Sequence, residues 1–330
     1  MLGTIGHLHS KNVPAFHFTR SQRESSEFFM PLVSAIIPAF NGTSRYLREA
    51  IDSVLGQTCQ DLELIIVDDA SEDDASTVIP SAPNIQFFRR PVNGGQAAAR
   101  NSGANLAKGQ YLAFLDQDDL WEPSFLEETV TILTQNPQAG LVHTDGYKIN
   151  EDNHIFEYDG AMKHYDTISQ ILRNGHDTAT NGTLLRHSCF TQINGYDERL
   201  TLYEDLDLGI RLFQHYPLIH LPKALYRHRH YKNNASRSIP SPKTLQARKY
   251  FLEKHAASCQ PGTAAARALQ KDWAQHFSDK GKWHLSQGER KAAQSSLFKS
   301  LSYQPCSYKT YLRLLRVYLP AYGKGRAKSL

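Results

Sequence analysis

Phe114-Leu115-Asp116-Gln117-Asp118-Asp119 sets three carboxylates within four positions, directly after an apolar run that starts at Tyr111. A run of this kind reads as a buried strand, with Asp116 and Asp118 at its C-terminal end. Residues two apart on an extended chain point the same way. Both carboxylates then face one side, at the edge where open α/β sheets take ligands. Hard oxygen donors suit Mg²⁺ or Mn²⁺, and such ions commonly bridge to phosphates. The chemistry this implies is a metal–diphosphate site. The competing reading is a polar turn that caps the next helix, a duty that would be enough for Asp119.

Several elements must position these groups. Val33 to Pro38 is a β-branched apolar run broken by Asn41-Gly42. From about Ser44 to Gly56 the apolar residues Tyr46, Leu47, Ile51, Val54 and Leu55 have helical spacing. Leu62 to Val67 is a second strand, closed by Asp68-Asp69, with Ser71 as an N-cap for the polar stretch after it. Ile85 to Phe88 is a third. Asn93-Gly94-Gly95 precedes an Ala-rich helix from Gln96 to Lys108. It is not a phosphate-binding P-loop, because no Gly-Lys-Ser/Thr follows. Alternating strands and helices predict a mostly parallel sheet flanked by helices. Beyond it, Leu141 to Asp145 reads as one more strand, 150–175 as irregular, and 218–231 as alternating apolar and basic. Pro240 and Pro242 mark a boundary. Residues 243–319 look helical, with one hairpin of the tetratricopeptide kind around Trp273 to Pro305.

Composition narrows the classes. The 330 residues carry 37 basic and 33 acidic side chains, a formal charge of +4. That is too dilute for a nucleic-acid footprint, so no nucleic-acid partner is expected. Cys59, Cys189, Cys259 and Cys306 lie too far apart for a metal or redox motif, which predicts free thiols in a reducing cytosol. No stretch approaches the roughly eighteen apolar residues of a membrane span. Residues 1–30 lack an apolar signal core and read as a flexible leader. A cytoplasmic location is the resulting expectation, and the Asn-x-Ser/Thr triplets at Asn41, Asn181 and Asn234 then carry no sugar. Lys324, Arg326 and Lys328 form either a solvated tail or a peripheral contact with an anionic membrane face.

Five segments recur in order: Val33 to Asn41, Ile51 to Thr58, Leu64 to Ser71, Ala98-Ala99-Arg100-Asn101, and Phe114 to Asp119. A Glu204-Asp205 pair and His228-Arg229-His230 come later. Together they resemble the family 2 glycosyltransferases over about residues 33–236. The resemblance implies a GT-A fold and an inverting transferase that takes its sugar from a nucleotide-diphosphate donor with Mn²⁺ or Mg²⁺. It makes Asp118 the direct metal ligand and puts Asp116 nearer the donor sugar or ribose. Asp69 would accept a hydrogen bond from the base, typically uracil, whose imide N–H suits a carboxylate. Pro38, Phe40 and Asn41 would line the base and ribose pocket, Phe40 serving as a stacking surface or as ordinary packing. Arg100 would turn its fork toward the diphosphate.

Thr201-x-x-Glu204 reads as a capping box, which gives Glu204 a structural duty. Asp205 has none, and the resemblance makes it the base. Asp207 can pair with Arg211 at i,i+4. The related pattern Tyr-Arg-x-His would put a His where Arg229 stands. Either His228 or His230 can therefore be the metal or diphosphate contact, and His230 is preferred.

The expected architecture is an α/β GT-A domain over 31–240, with a nucleotide half (33–120), an acceptor half (121–240) and a helical C-terminal region (241–330). The expected activity is metal-dependent inverting transfer from a nucleotide-diphosphate sugar, taken as a UDP-sugar, to a saccharide or lipid-linked saccharide acceptor, in surface polysaccharide or glycolipid synthesis. Two rivals stand beside it. A sugar-nucleotide-forming nucleotidyltransferase needs a basic Gly-rich loop after the first strand, and Pro38 to Gly42 has no Lys or Arg. An inactive scaffold has no use for Asp116, Asp118 and Asp205.

Overall fold

Strand β1 (Val33–Ala39) and strand β2 (Leu62–Asp68) are buried at every position, as continuous apolar runs in a parallel sheet covered on both faces require. A computed structural model describes residues 30–41, 45–160, 180–231 and 241–318. The remaining strands are β3 (Ile85–Arg89), β4 (Tyr111–Phe114), β5 (Leu120–Trp121), β6 (Leu141–Ile149), β7 (Ile155–Asp159), β8 (Thr183–Arg186) and β9 (Leu218–Arg229). They form one sheet in the order β3-β2-β1-β4-β8-β6-β9-β5, with β7 paired to β6. The strands from β3 to β4 are all parallel, β8 is reversed, and β6 and β9 run parallel to each other.

The chain lays β1, β2 and β3 outward in one direction, then returns to place β4 on the other side of β1. A crevice therefore opens between the C-terminal ends of β1 and β4, the reversal point where open α/β sheets bind ligands. Helix α1 (Arg45–Leu55) packs Leu47, Ile51 and Val54 on one face, with Ala35, Ile37, Leu64 and Ile66. Helix α2 (Gln96–Leu106) packs Ala97, Ala99 and Ala104 on the other, with Ile36, Ile65 and Val67. The alanines and Gly103 let α2 lie close: a Cβ at Gly103 would sit 2.5 Å from Ile36 Cγ2.

Helices α3 (Phe125–Gln135), α4 (His187–Gln192) and α5 (Glu204–Phe213) complete the flanks. Four more come after them: α6 (Pro242–Ala256), α7 (Ala264–Ser286), α8 (Arg290–Tyr303) and α9 (Tyr308–Tyr318). Ser241 caps α6 and Pro242 opens it, as a Pro at the first helical turn can. Leu206 and Ile210 of α5, Phe251 and Leu252 of α6 and Leu269 of α7 share one apolar cluster.

Three local expectations change. The stretch after β2 forms only a 3₁₀ turn, Ala75–Val78, capped by Asp74 rather than Ser71. The strand at Leu141 runs on to Ile149, and part of the stretch read as irregular is β7. Helix α5 starts after Tyr203, held left-handed at φ 70°, with no side-chain cap, so the Thr201–Glu204 capping box does not form. The leader 1–29, Gly42, residues 161–179, Asn234 and Pro240, and the basic tail with Lys324, Arg326 and Lys328 lie outside the described residues. The four cysteines are free. No helix among the described residues is long and apolar enough to cross a membrane.

Candidate active site

Pro38, Phe40, Asp69, Asn93, Gly95, Gln96, Asp116, Gln117 and Asp118 line a cavity of about 370 Å³ at the β1–β4 crevice. Strand ends and the start of α2 supply all of these groups. Gln117 bridges the crevice: its Oε1 accepts from Phe40 N at 2.9 Å and its Nε2 donates to Phe40 O at 3.1 Å. The Phe40 ring is 45% exposed at the rim, as a stacking surface needs. Asn41 joins the ends of β1 and β2, with its N–H on Ser71 Oγ (2.8 Å) and its Oδ1 accepting from Glu72 N (3.0 Å).

Asp69 is buried and already engaged. It accepts from Gly94 N at 3.0 Å, Gly95 N at 2.6 Å and the Arg90 guanidinium. The carboxylate thus builds the turn that starts α2, where Gly95 sits at φ 83°, a conformation that favours glycine. Any base recognition by Asp69 shares the carboxylate with this turn.

Arg100 is 1% exposed and joins two elements distant in sequence. Its Nη2 donates to Asp116 Oδ1 at 2.6 Å and its Nη1 to Glu204 Oε1 at 3.1 Å, and its guanidinium lies over the Tyr196 ring. Glu204 therefore holds Arg100 and does not reach back to Thr201. Asp205, half-buried, accepts from Leu206 N at 2.7 Å. Burial pushes the Tyr196 phenol well above its usual pKa, Arg100 opposes this, and Asp205, Glu204 and Asp116 add to it. These groups thus surround one ring. Arg100, expected to face a diphosphate, is buried and holds Asp116.

Asp118 is held above the usual carboxylate range, first by burial and then by the neighbouring Asp116 charge, while Tyr231 and His228 act the other way. The Tyr231 hydroxyl donates to Asp118 Oδ2 at 2.9 Å. Among the described residues, no three His, Cys, Asp or Glu side chains gather as a closed metal cluster. The donor set nevertheless fits a hard cation that completes its shell with phosphate oxygens and water. The cavity lining carries three carboxylates and no Lys or Arg. His228 is the imidazole whose charge acts on Asp118. His230 stacks edge-on against Phe156 of β7, with Lys148, Glu157 and Asp159 close enough to act on its charge.

Sequence reasoning missed several supporting groups. The Asn181 Oδ1 accepts from Asp116 N at 2.7 Å, and its amide nitrogen donates to Asp119. Asp119 also accepts from Arg229 N at 2.7 Å, and Arg229 Nε donates to Asp118 O at 2.8 Å. Arg229, buried, pairs as well with Glu49 of α1 at 3.0 Å. It therefore locks the acidic loop onto β9, which accounts for an arginine between the two histidines. Asp207 pairs with Arg211 at 2.8 Å as expected, and also with Lys254 (2.6 Å) and His255 (2.9 Å) of α6. Asn181 and Tyr231 had no sequence signal beyond a sequon and a neighbouring histidine. Arg229 and Asp119 were visible as charges without partners.

The sequence pattern described as "Glycosyl transferase family 2" matches residues 34–193. An uncharacterised glycosyltransferase of Rickettsia prowazekii is 32% identical over 194 residues, which cover 56% of this chain and 60% of that protein. One from Methanocaldococcus jannaschii is 30% identical over 191 residues, covering 56% of this chain and 66% of its own length. The chain thus spans less than two thirds of the curated relatives that it matches, and only 28% of one from Rickettsia bellii. Among solved structures, Staphylococcus aureus TarS 1–349 in complex with UDP-GlcNAc superposes with a TM-score of 0.60 at 16% identity, covering 87% of this chain and 89% of that fragment. That likeness shows the GT-A fold, with helices following the sheet domain. With the sheet, the crevice and the matched segments in agreement, residues 34–193 carry the glycosyl transferase family 2 pattern, and the chain is similar to glycosyltransferases over that part of its length.

Proposed function

We propose that the protein transfers a sugar, with inversion, from a nucleotide-diphosphate donor to a hydroxyl of a saccharide or lipid-linked saccharide. The observation that carries this is the crevice at the β1–β4 reversal, where Phe40, Asp69, Asp116 and Asp118 line one cavity and Arg100 ties its wall to the start of α5. The donor base stacks on Phe40 beside Asp69, and Asp116 meets the ribose or donor sugar. The α2 N-terminus, with Gly95 and Gln96 on the lining, faces the phosphates. TarS holding UDP-GlcNAc on the same fold supports a UDP-sugar.

Asp118, with His228 or His230, would hold Mn²⁺ or Mg²⁺, which when bound would supply charge neutralisation for the leaving diphosphate. The chain's own residues do the rest. Asp205 takes the acceptor proton as the acceptor oxygen bonds to the anomeric carbon and the C1–O bond breaks, its electron pair leaving on the nucleoside diphosphate. The Arg100–Glu204 pair fixes the α5 N-terminus, and with it Asp205, relative to Asp116. The setting is surface polysaccharide or glycolipid assembly at the cytoplasmic face of a membrane, with peripheral contact through the basic C-terminal region. The residues that do the chemistry lie within 31–240, α6 braces α5 from outside that range, and α7–α9 extend the helical region.

Asp205→Asn tests the base. Turnover should fall by roughly 10²–10⁴-fold while UDP affinity stays near that of the original protein. Glu204→Gln keeps a hydrogen bond to Arg100 and should lower the melting temperature with a smaller loss of rate. Normal turnover in Asp205→Asn beside a dead Glu204→Gln would reverse the assignment. A thermal-shift screen of nucleotide sugars with and without Mn²⁺ identifies the donor, and no stabilisation by any of them would refute the reading.

A further inference from the structure

The outer face of α9 is apolar. Inward, α9 packs Leu314 and Val317 on Ala293 and Leu297 of α8. Outward it carries Tyr308, Tyr311, Leu312, Leu315 and Tyr318, between 50% and 67% exposed. Steps of three and four place them in one stripe along the helix. Gln294 of α8 donates to the Tyr318 hydroxyl, and Phe298, one turn further along α8 and 54% exposed, extends the stripe. Three of the five α9 residues are tyrosines, whose rings suit a boundary between hydrocarbon and water.

Charge selects the occupant. Lys309 and Arg316, seven residues apart, lie along one flank of the stripe, while Arg313 is turned inward to Ser278 at 2.6 Å and Asp279 at 3.5 Å. From Arg290 onward the sequence has lysines and arginines and no aspartate or glutamate. A second copy would set two such cationic faces together, whereas an anionic lipid surface neutralises them. We propose that the exposed face of α9, with Phe298, docks on an anionic membrane surface and lies in its plane. This gives the peripheral contact proposed above a defined surface. It rests on that reading of the C-terminal region and is separable from the transferase chemistry.

The test is co-sedimentation of the full chain with vesicles of phosphatidylcholine and of a phosphatidylcholine–phosphatidylglycerol mixture. Two double variants run beside it: Tyr311→Ser with Leu315→Ser, and Lys309→Glu with Arg316→Glu. All four positions are exposed, so both variants should keep the original melting temperature and UDP affinity. The original chain should bind only the mixed vesicles, less as salt is raised. Each variant should partition about tenfold less. Equal partition of variant and original, or no vesicle binding by the original, overturns the proposal. A dimer of the original chain in sedimentation equilibrium that the Tyr311/Leu315 variant dissolves also overturns it, because a second copy then covers the face. Vesicle binding without UDP binding would refute the transferase reading and leave the docking surface standing.

Discussion

The crevice edge and the start of α5 both present carboxylates, but they are built in opposite ways. At the crevice, Asp69 and Asp116 follow the C-terminal ends of β2 and β4, the two parallel strands that flank β1, and a turn closed by Asp119 N on Asp116 O carries Asp118. At α5, position depends on partners far along the chain. Arg100 reaches Glu204, Lys254 and His255 clasp Asp207, and Arg248 donates to the Tyr203 hydroxyl at 2.7 Å. The first region is placed by backbone topology, and its carboxylates line the cavity while each accepts hydrogen bonds from the protein. The second is held by side chains, so its side chains are occupied by structure.

If that contrast is right, substitutions should separate activity from stability. The largest effect is expected for Asp118→Asn, which should abolish transfer and the Mn²⁺-dependent part of UDP affinity with little change in melting. Full turnover of this variant under EDTA would remove the difference between the regions. Asp207→Asn should do the reverse, keeping UDP affinity while losing about 3 kcal/mol of stability in chemical denaturation, as expected when a buried ion-pair partner is removed. Burial acts to raise the Asp207 pKa, but His255, Arg211 and Lys254 outweigh it and hold it low. Its contribution is therefore present above the unfolded carboxylate value of about 3.9 and is lost as pH falls below it. The original protein and Asp207→Asn should converge in stability toward acid, and a constant gap down to pH 2 (roughly two units below that value) would contradict this.

Truncation sharpens the boundary between the two. A chain ending near residue 258 keeps α6 and its clasp on α5 and should still bind UDP, though it uncovers Phe251 and Leu252 where Leu269 packs. One ending at residue 241 loses the clasp and should fail to fold, and a stable, UDP-binding product would refute the account of α5. The smallest effect is expected for Gln117→Ala. It removes two hydrogen bonds at the crevice rim, worth about 1 kcal/mol each, and should weaken UDP binding several-fold by calorimetry.

The same contrast explains how much of the molecule is legible in its sequence. Strands β1, β2 and β4 and helices α1 and α2 announce themselves through continuous or periodic apolar runs, and the acidic ends of the strands come with them. The reversed strand β8 and the extension of β6 to Ile149 carry no such signature, because their pairing is decided by tertiary contacts. Thr201-x-x-Glu204 resembles a capping box because the pattern is local. Arg100, more than a hundred positions earlier, competes for Glu204 and wins, and the left-handed Tyr203 stacked on Phe251 replaces the cap. Asn181 is silent in the sequence because an amide shows no periodicity and no charge, and its two partners lie more than sixty residues upstream.

That amide has a chemical consequence. Asn181 is followed by Gly182, the dipeptide in which the next backbone nitrogen most readily attacks a side-chain amide and deamidates it. Here both ends of the amide are held, the oxygen by Asp116 N and the nitrogen by Asp119. Ageing at this position should therefore be slow while the site is closed and rapid once it opens. The product would add a carboxylate beside Asp116 and Asp119, so one lesion would push the acidic loop apart by charge alone. Peptide mapping of stored protein should find deamidated Asn181 concentrated in the inactive fraction, and an even spread between active and inactive fractions would show that the amide is not the clasp the geometry describes.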